Sequence, residues 1–399
     1  MHKKNKLFTL SAVATGILFA GQAAAIEPQA VDLGGVGFIP TVKLSETYDD
    51  NIWEASGLAG DEEQSSWVTS IEPSFTLAAR DRLNTYQFNY RFNNTTYHSS
   101  HDDDKTDHFV SANSHMEFNA RNRLDLNAGH NRQQDTRDST NRQNDEVGNK
   151  YHTTNLGGLY GFGAEAARMQ LELGANHEWR RYTNNRDSGS LTREKDRDTL
   201  SLVTTAYYRI GPKTRLLAEI QRNDYDYQTA NLDSTSWRYL LGATWQATAK
   251  TSGTVKVGFE DKDFNDATKN DPNNSTWEAG ITWEPLTYSR VKLNTSSRAE
   301  EGSATEDYID TDSYGIGWEH DWTPRITSNL GYSLTEKAYK GGGREGRKDD
   351  LDVYNIGVNY KMRRWLDLGV GYTHKDNSSN SATDSYDRNQ VFVNANISL

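Results

Sequence analysis

Apolar and polar residues alternate with a period of two along much of this chain. The last segment shows the pattern clearly, with apolar side chains at Val391, Val393, Ala395, Ile397 and Leu399. The same spacing recurs within residues 86–92, 200–208, 237–245, 255–259 and 354–362. A period of two places successive side chains on opposite faces of a β-strand, so each strand has one consistently apolar face. The other faces carry Arg, Lys, Glu, Asn and Gly, which need water, so the pattern disfavours a soluble core.

The connections between these segments alternate in length. Short turns fall near residues 81–82, 121–123, 163–167, 211–212, 248–251, 285–286, 323–324 and 362–364. Longer polar stretches fall near residues 54–65, 99–107, 135–149, 184–197, 229–235, 265–275, 301–311, 340–349 and 376–385. Eight short turns and nine long loops join 18 strands. Short periplasmic turns and longer extracellular loops are typical of outer-membrane barrels. We therefore expect an all-β fold, a transmembrane antiparallel β-barrel of about 18 strands, within a range of about 16 to 20.

Tryptophan placement tests the barrel independently. Trp237 and Trp245 lie eight residues apart on one apolar face, which separates them by roughly 20 Å along the membrane normal. This is close to the spacing of the two aromatic girdles around an apolar band about 25 Å tall. Only a closed barrel pairs every backbone group of strands in hydrocarbon. A soluble sandwich or a β-solenoid is the alternative, although the chain has no fixed repeat period.

Composition changes this picture at the N-terminus. Lys3, Lys4 and Lys6, an apolar run over residues 7–20 and the sequence Ala23-Ala24-Ala25 have the layout of a secretory signal peptide. We expect a signal peptide at 1–25 and the barrel at 26–399, with an N-terminal membrane-anchor helix as the competing interpretation. Mean hydropathy is −0.87 with 11% aromatic residues, which argues against disorder and against a later transmembrane helix.

The net charge bears on the partner of this protein, and the cysteine content bears on disulfides and metal sites. The whole chain has a net charge of −12, and removal of the three signal lysines gives −12 − 3 = −15 for the mature part. This acidity argues against nucleic acid as a partner. The chain has no cysteine, so disulfides and thiolate metal sites are absent.

Strand parity assigns basic residues to the lumen as candidate substrate contacts. They are Arg91, Arg180, Arg209, Arg238, Lys256, Lys292, Arg298 and Lys361. Acidic residues on the same faces are Glu72, Glu172, Glu178, Glu260, Glu278, Glu284 and Glu319. This mixed wall suits a hydrated neutral or anionic polymer or small solutes. A network of mutually satisfied ion pairs explains the same residues equally well.

Catalytic and metal-binding patterns find little support. His98, His101 and His108 lie near Asp102, Asp103 and Asp104, but without metal-ligand spacing, so a solvated acidic loop is favoured over a cation site. The acidic stretch 261–274 lacks the glycine and terminal glutamate of a calcium loop. We predict no enzyme activity, no cofactor and no metal.

The opening strand carries a family resemblance. It reads Gly37-Phe38-Ile39-Pro40-Thr41-Val42-Lys43-Leu44, followed by Thr47-Tyr48-Asp49-Asp50-Asn51-Ile52-Trp53. A proline-containing strand that leads into a Tyr-Asp-x-Asn turn resembles the start of the β-barrel porin type 2 family. The chain ends in Ile397-Ser398-Leu399 rather than in the aromatic residue usual for outer-membrane barrels.

The resemblance implies a function in export. Many members look like outer-membrane components of capsule or exopolysaccharide systems, including Vibrio-type ones. By that resemblance, the chain would be the outer-membrane conduit of a Wzx/Wzy-type exopolysaccharide pathway. The implied partners are the polysaccharide and a periplasmic polysaccharide export protein. Outer-membrane lipid, lipopolysaccharide and the barrel assembly machinery are further expected partners. A general or sugar-selective diffusion porin is the alternative, and an outer-membrane enzyme or adhesin is a third.

Overall fold

The computed structural model describes residues 30–135, 147–187, 191–248, 250–269, 271–302 and 305–398. The expected signal peptide at 1–25 and the terminal Leu399 lie outside the described residues. Among the residues described, no helix has the length and apolar character needed to span a bilayer. The helices in these ranges are short 3-10 turns within long connections, at His101–Asp103, Thr192–Lys195, Gly342–Arg344 and Ala382–Asp384.

Nineteen strands make up the described fold. They are β1 (Val31–Asp32), β2 (Val36–Asp49), β3 (Ser66–Asp81), β4 (Asn84–Tyr97), β5 (Lys105–Asn119), β6 (Asn122–Gln134), β7 (Lys150–Phe162), β8 (Met169–Tyr182), β9 (Arg197–Arg209), β10 (Thr214–Tyr227), β11 (Ser234–Thr248), β12 (Thr251–Phe264), β13 (Asn273–Leu286), β14 (Ser289–Glu301), β15 (Tyr308–Thr323), β16 (Ile326–Lys340), β17 (Lys348–Arg363), β18 (Leu366–Ser379) and β19 (Tyr386–Ser398). The strands β2 to β19 have 13 to 16 residues each, enough to cross a bilayer when tilted.

The sheet closes on itself. Each strand from β2 to β18 pairs antiparallel with the next, and β19 pairs with β2 from Gln390↔Asp49 to Ser398↔Thr41. The two-residue β1 extends this seam by pairing Val31 with Phe38, beyond the last residue of β19. The result is a closed barrel of 18 antiparallel strands, which confirms the fold class and strand number expected from the sequence.

Connection lengths alternate as the sequence predicts. The turn between β3 and β4 has two residues, whereas the connection between β2 and β3 covers residues 50–65. Several strands extend into stretches that were predicted to be loops. For example, β18 continues to Ser379, inside the predicted loop 376–385. We call the two rims the short-turn end and the long-loop end.

Register shifts occur only next to short turns in the described pairings. They lie between Glu117 and Asn119, and at the corresponding ends of β11, β13, β15 and β17. Because a β-bulge inverts the faces that follow it, bulges at the short-turn end leave the alternation intact along the rest of each strand.

The outer face is apolar and the inner face polar. Leu241 and Phe259 are 67% and 66% exposed although they lie mid-strand, so their side chains cover the outside. On the opposite face, Arg238 of β11 reaches Glu278 of β13, and Arg123 of β6 reaches Glu172 of β8. Side chains from strands two apart meet on the concave side of a closed sheet, so these residues face the lumen.

Candidate functional site: the lumen

A belt of paired ions lines the inner face of β8 to β13, which we call the charged arc. Glu278 accepts hydrogen bonds from Arg238 Nη2 at 2.8 Å and from Lys256 Nζ at 2.8 Å. Lys256 Nζ also donates to Glu219 at 2.9 Å, and Thr205 Oγ1 donates to the same carboxylate at 3.0 Å. Each cation therefore lies within hydrogen-bond distance of a carboxylate, and no charge in this group is left alone.

The belt continues toward β8 through aromatic and amide groups. Arg215 lies over the Tyr207 ring at 4.5 Å and donates to Gln170 Oε1 at 2.6 Å. The Tyr207 hydroxyl donates to Glu172 at 3.3 Å. Along the arc lie three cations (Arg215, Arg238, Lys256) and three carboxylates (Glu172, Glu219, Glu278), and Arg123 of β6 pairs with Glu172 at 2.8 Å. Each carboxylate of the belt thus has a cationic partner.

The inner face of β16 to β19 is different, and we call it the amide arc. Asn359 Nδ2 donates to Asn329 Oδ1 at 3.2 Å, and Thr373 Oγ1 donates to Asn355 Oδ1 at 2.8 Å. A Cβ at Gly369 would lie 2.6 Å from Asn394 Oδ1, so glycine there makes room for the amide. Asparagine, threonine and glycine give this arc donors and acceptors without charge.

At the long-loop end, the hairpin of β14 and β15 leaves the wall and covers part of the lumen. Pairing of β14 with β13 stops at Trp277↔Ser297. Beyond it, the Ala299 backbone N–H donates to Glu260 of β12 at 3.0 Å, and the Tyr227 hydroxyl of β10 donates to Glu301 at 3.0 Å. Strands β10 and β14 are four positions apart, about 19 Å along the wall at about 4.8 Å per strand. The contact therefore requires the hairpin to fold inward.

Buried groups hold this hairpin in place. Lys262 of β12 is only 1% exposed and forms an ion pair with Glu301. Beside it, Tyr227, Phe264 and Tyr308 pack in a buried apolar cluster with Leu232. In the adjacent 265–272 connection, the backbone N–H and the hydroxyl of Thr268 hold the pKa of the Asp266 carboxyl below its usual value. These contacts fix the position of the β14–β15 hairpin, which therefore narrows the long-loop end of the barrel.

The connection after β2 also folds toward the lumen, and it begins with the Tyr-Asp-x-Asn turn. Asp49 accepts from Arg388 of β19 at 2.6 Å, which ties the first barrel strand to the last. Asn51 is fully buried and donates to the carbonyls of Ala55 and Asp387, both at 2.9 Å. Glu54 then accepts from Arg388 at 3.0 Å. The motif residues thus close the seam of the barrel and anchor an inward loop.

The structure distributes the eight predicted lumen residues over seven strands. Only Arg238 and Lys256 come together, at Glu278. The other contacts are Arg91 with Glu72 at 2.6 Å, Arg180 with Glu178 at 3.3 Å, Arg298 with Glu300 at 2.8 Å and Lys292 with Glu319 at 4.0 Å. Arg209 donates to backbone carbonyls near the short-turn end, including Pro212 at 3.1 Å. Lys361 has no ion-pair partner in the described part of the chain. Contact of these residues with a substrate stays a prediction.

Sequence reasoning missed two of the six charged residues of the charged arc, Arg215 and Glu219. Arg215, Glu219 and Gln221 lie on β10, whose outward residues Leu216, Ala218 and Ile220 alternate with them. This alternation of apolar and polar residues is the sequence signal that identifies Arg215, Glu219 and Gln221 as lumen-facing. It could not have found the pairing of Glu301 with Lys262, because Glu301 shares the parity of the outward-facing Leu293.

The predicted histidine and aspartate loop does not form a cluster. His108 shares a hydrogen bond with the Tyr90 hydroxyl at 3.0 Å on the outer face, and His101 pairs with Asp104 at 3.2 Å. Asp103 is buried and accepts from Trp53 Nε1 at 3.0 Å, so this residue is not solvated as expected. Within the described ranges, no group of three or more His, Asp or Glu side chains could hold a metal ion.

Solved structures with a similar fold come from Pseudomonas aeruginosa and Acinetobacter baumannii. OpdO of Pseudomonas aeruginosa aligns with a TM-score of 0.52 at 12% identity, over 91% of this chain and 97% of that one. OccK9 (OpdG) of the same organism aligns with a TM-score of 0.52 at 11% identity, over 91% and 98%. OccAB3 of Acinetobacter baumannii aligns with a TM-score of 0.50 at 11% identity, over 91% and 99%. At these identities the likeness establishes the fold alone.

The sequence comparisons give a family. A comparison with curated protein sequences finds no match. The model of the family described as "Putative beta-barrel porin 2" matches residues 24–399. Together with the 18-strand barrel, this match makes the protein a multi-pass β-barrel of the outer membrane. The chain belongs to the beta-barrel porin 2 family.

Proposed function

We propose that this protein is a passive diffusion porin for small hydrophilic solutes, with a preference for neutral hydroxylated molecules such as sugars. The observation that carries the proposal is the division of the lumen wall. In its charged arc the carboxylates are paired with cations, and its amide arc offers uncharged donors and acceptors. Hydroxyl groups of a sugar can exchange hydrogen bonds with such amides without displacing a bound ion.

The narrowed mouth supports small solutes over polymers. The β14–β15 hairpin and the loop after β2 are both held by buried charges, so the entrance is formed without a partner protein. Membership of a porin family supports this role. The proposal includes no enzyme activity.

Liposome swelling tests the proposal directly. Purified protein in liposomes should admit a pentose and a hexose quickly and a disaccharide more slowly, and exclude a tetrasaccharide. Because each carboxylate of the charged arc has a cationic partner, the channel should select weakly between K⁺ and Cl⁻. Absence of swelling with every sugar, in protein shown to be folded, would contradict the diffusion porin.

Export of a polysaccharide, with a periplasmic polysaccharide export protein as partner, is the second candidate. Its support is the opening strand, whose motif resembles barrels of such systems, and an amide arc that also suits a neutral glycan. In a strain lacking this protein, exopolysaccharide should then disappear from the surface and the medium while polymer stays within the cell or its synthesis stops. Normal surface polymer together with sugar-permeable liposomes would leave the diffusion porin.

A further inference from the structure

The outer face of β4 to β8 is basic at its long-loop end. Outward positions there carry His108, His130, Arg132, Lys150, His152, His177 and Arg181. The strands β4 to β8 are described in full, and their outward positions include no Asp or Glu. By contrast, the outward long-loop ends of β16 to β19 carry Glu336, Asp350, Asp352, Asp376 and Asp387, with Lys340, Lys348 and His374 as basic exceptions.

Four of the basic residues form one row across the strands, which we call the basic ladder. His108, Arg132, His152 and Arg181 are successive cross-strand partners on β5, β6, β7 and β8. With neighbouring strands about 4.8 Å apart, the ladder spans about 15 Å. His130 lies beside it, with its ring 6.0 Å from that of His152. The ladder is therefore a compact patch and not a scatter of charges.

Arg132 is the residue of the ladder that is free to bind. Arg181 already pairs with Asp198 of β9 at 2.6 Å, and His108 bonds to Tyr90. Arg132 is exposed and makes no side-chain hydrogen bond or ion pair with any described residue. An unpaired guanidinium flanked by two imidazoles presents a fork of donors that matches a phosphate group.

An apolar hollow lies on the outer face of β2 to β7, closer to the short-turn end than the ladder. Its volume is about 640 Å³, and its outward lining includes Leu77, Phe88, Ala112, Leu126, Ala128 and Leu156. Ala112 and Ala128 are direct cross-strand partners, and their small side chains leave a depression between the larger ones. Ala128 lies four residues from Arg132 along β6, about 13 Å at about 3.3 Å per residue. The hollow has the size of a typical ligand pocket.

We propose that this face binds a phosphorylated glycolipid of the outer leaflet, with its phosphate at Arg132 and an acyl chain in the hollow. Only lipid reaches an outward surface at this depth, so the ligand must combine an anionic head group with an alkyl chain. Basic clusters at the membrane interface attract such anionic lipids. The acidic outer face of β16 to β19 repels the same head group, which confines the lipid to one side of the barrel.

Binding of lipid A to the detergent-solubilised barrel tests the proposal. Wild-type protein should bind diphosphoryl lipid A about tenfold more tightly than dephosphorylated lipid A, as expected for charge-assisted contacts to phosphate. Arg132→Gln with His152→Gln should weaken diphosphoryl lipid A about tenfold and leave the dephosphorylated lipid unchanged. Ala128→Phe should weaken both lipids because it fills the hollow.

Arg222→Gln is the matched control. Arg222 also faces outward but already pairs with Asp224 at 2.8 Å, so its loss should leave lipid affinity unchanged. Equal affinity of wild type and Arg132→Gln/His152→Gln for diphosphoryl lipid A would overturn the proposal, as would equal wild-type affinity for the two lipids. If the double variant does not fold, Arg132→Gln alone is tested with the same two outcomes. Among the described residues Arg132 has no hydrogen-bond or ion-pair partner, so its loss should not disturb the fold.

Discussion

The two arcs of the lumen wall lie on different strands, β8 to β13 and β16 to β19, and their side chains line the pore differently. In the charged arc, Lys256 and Arg238 share Glu278 at 2.8 Å each. In the amide arc, Asn359 bonds to Asn329 at 3.2 Å, and the next inward residue of β17, Lys361, has Asp367 as its cross-strand partner. A charge on a concave, crowded wall loses part of its hydration and must be paired, whereas an amide needs only a neighbour with a complementary dipole. The comparison teaches that a wall rich in charges can hold them in pairs, so that few of them act alone on a passing solute.

The largest effect should come from breaking the most buried ion pair on the charged side. Lys262→Met leaves Glu301 buried without its cation, and we expect a loss of about 3 kcal/mol in the free energy of unfolding. The hairpin should also loosen and single-channel conductance should rise. Urea unfolding in lipid vesicles and planar-bilayer recording measure both.

Lys292→Met is the control for this change. The Lys292 side chain is 45% exposed and lies 4.0 Å from Glu319, so its removal should cost less than about 1 kcal/mol. Equal losses in the two variants would mean that the hairpin is not held by the ion pair.

A smaller effect should follow from unbalancing the charged arc. Glu278→Gln removes the anion that Arg238 and Lys256 share and makes the belt more positive by one unit of charge. A unit charge about 10 Å from the ion path is worth about 0.4 kcal/mol in water, so Cl⁻ permeability relative to K⁺ should rise about twofold. Reversal potentials in a KCl gradient measure this ratio.

The amide arc supplies the opposite variant. Asn359→Asp adds one negative charge there, so the permeability ratio should shift about twofold toward K⁺. If both variants moved the ratio in the same direction, the arcs would not line a common ion path.

The smallest effect should appear on sugar transport through the amide arc. Asn359→Leu removes a donor and an acceptor from the wall, and hexose-driven swelling of liposomes should slow about twofold because one hydrogen bond is lost. KCl conductance should stay unchanged since no charge is altered. Thr205→Val on the charged arc removes a hydroxyl that is committed to Glu219, so it serves as the control. A larger slowing by Thr205→Val than by Asn359→Leu would reverse the assignment of the sugar path.

The faces of the strands could be predicted because the bulges lie next to short turns. Trp237 and Trp245 face outward and Arg238 and Lys256 inward, as their parity indicates, since the shift between Trp245 and Thr248 comes after them. Parity could not show which of the lumen-facing residues contact one another. It gives the face of the sheet on which a side chain lies, but not the distance between that side chain and residues on other strands.

The sequence by itself determined the barrel, its strand number and the apolar outside. These properties follow from local rules, because a period of two and a regular alternation of turn lengths act within one hairpin. Tertiary structure alone decided the inward fold of β14 and β15, in which Glu301 reverses the direction that its parity indicates. It also decided the meeting of His108, Arg132 and His152 in one ladder. Such contacts depend on cross-strand register and closure, which join residues far apart in the chain and leave no periodic trace in it.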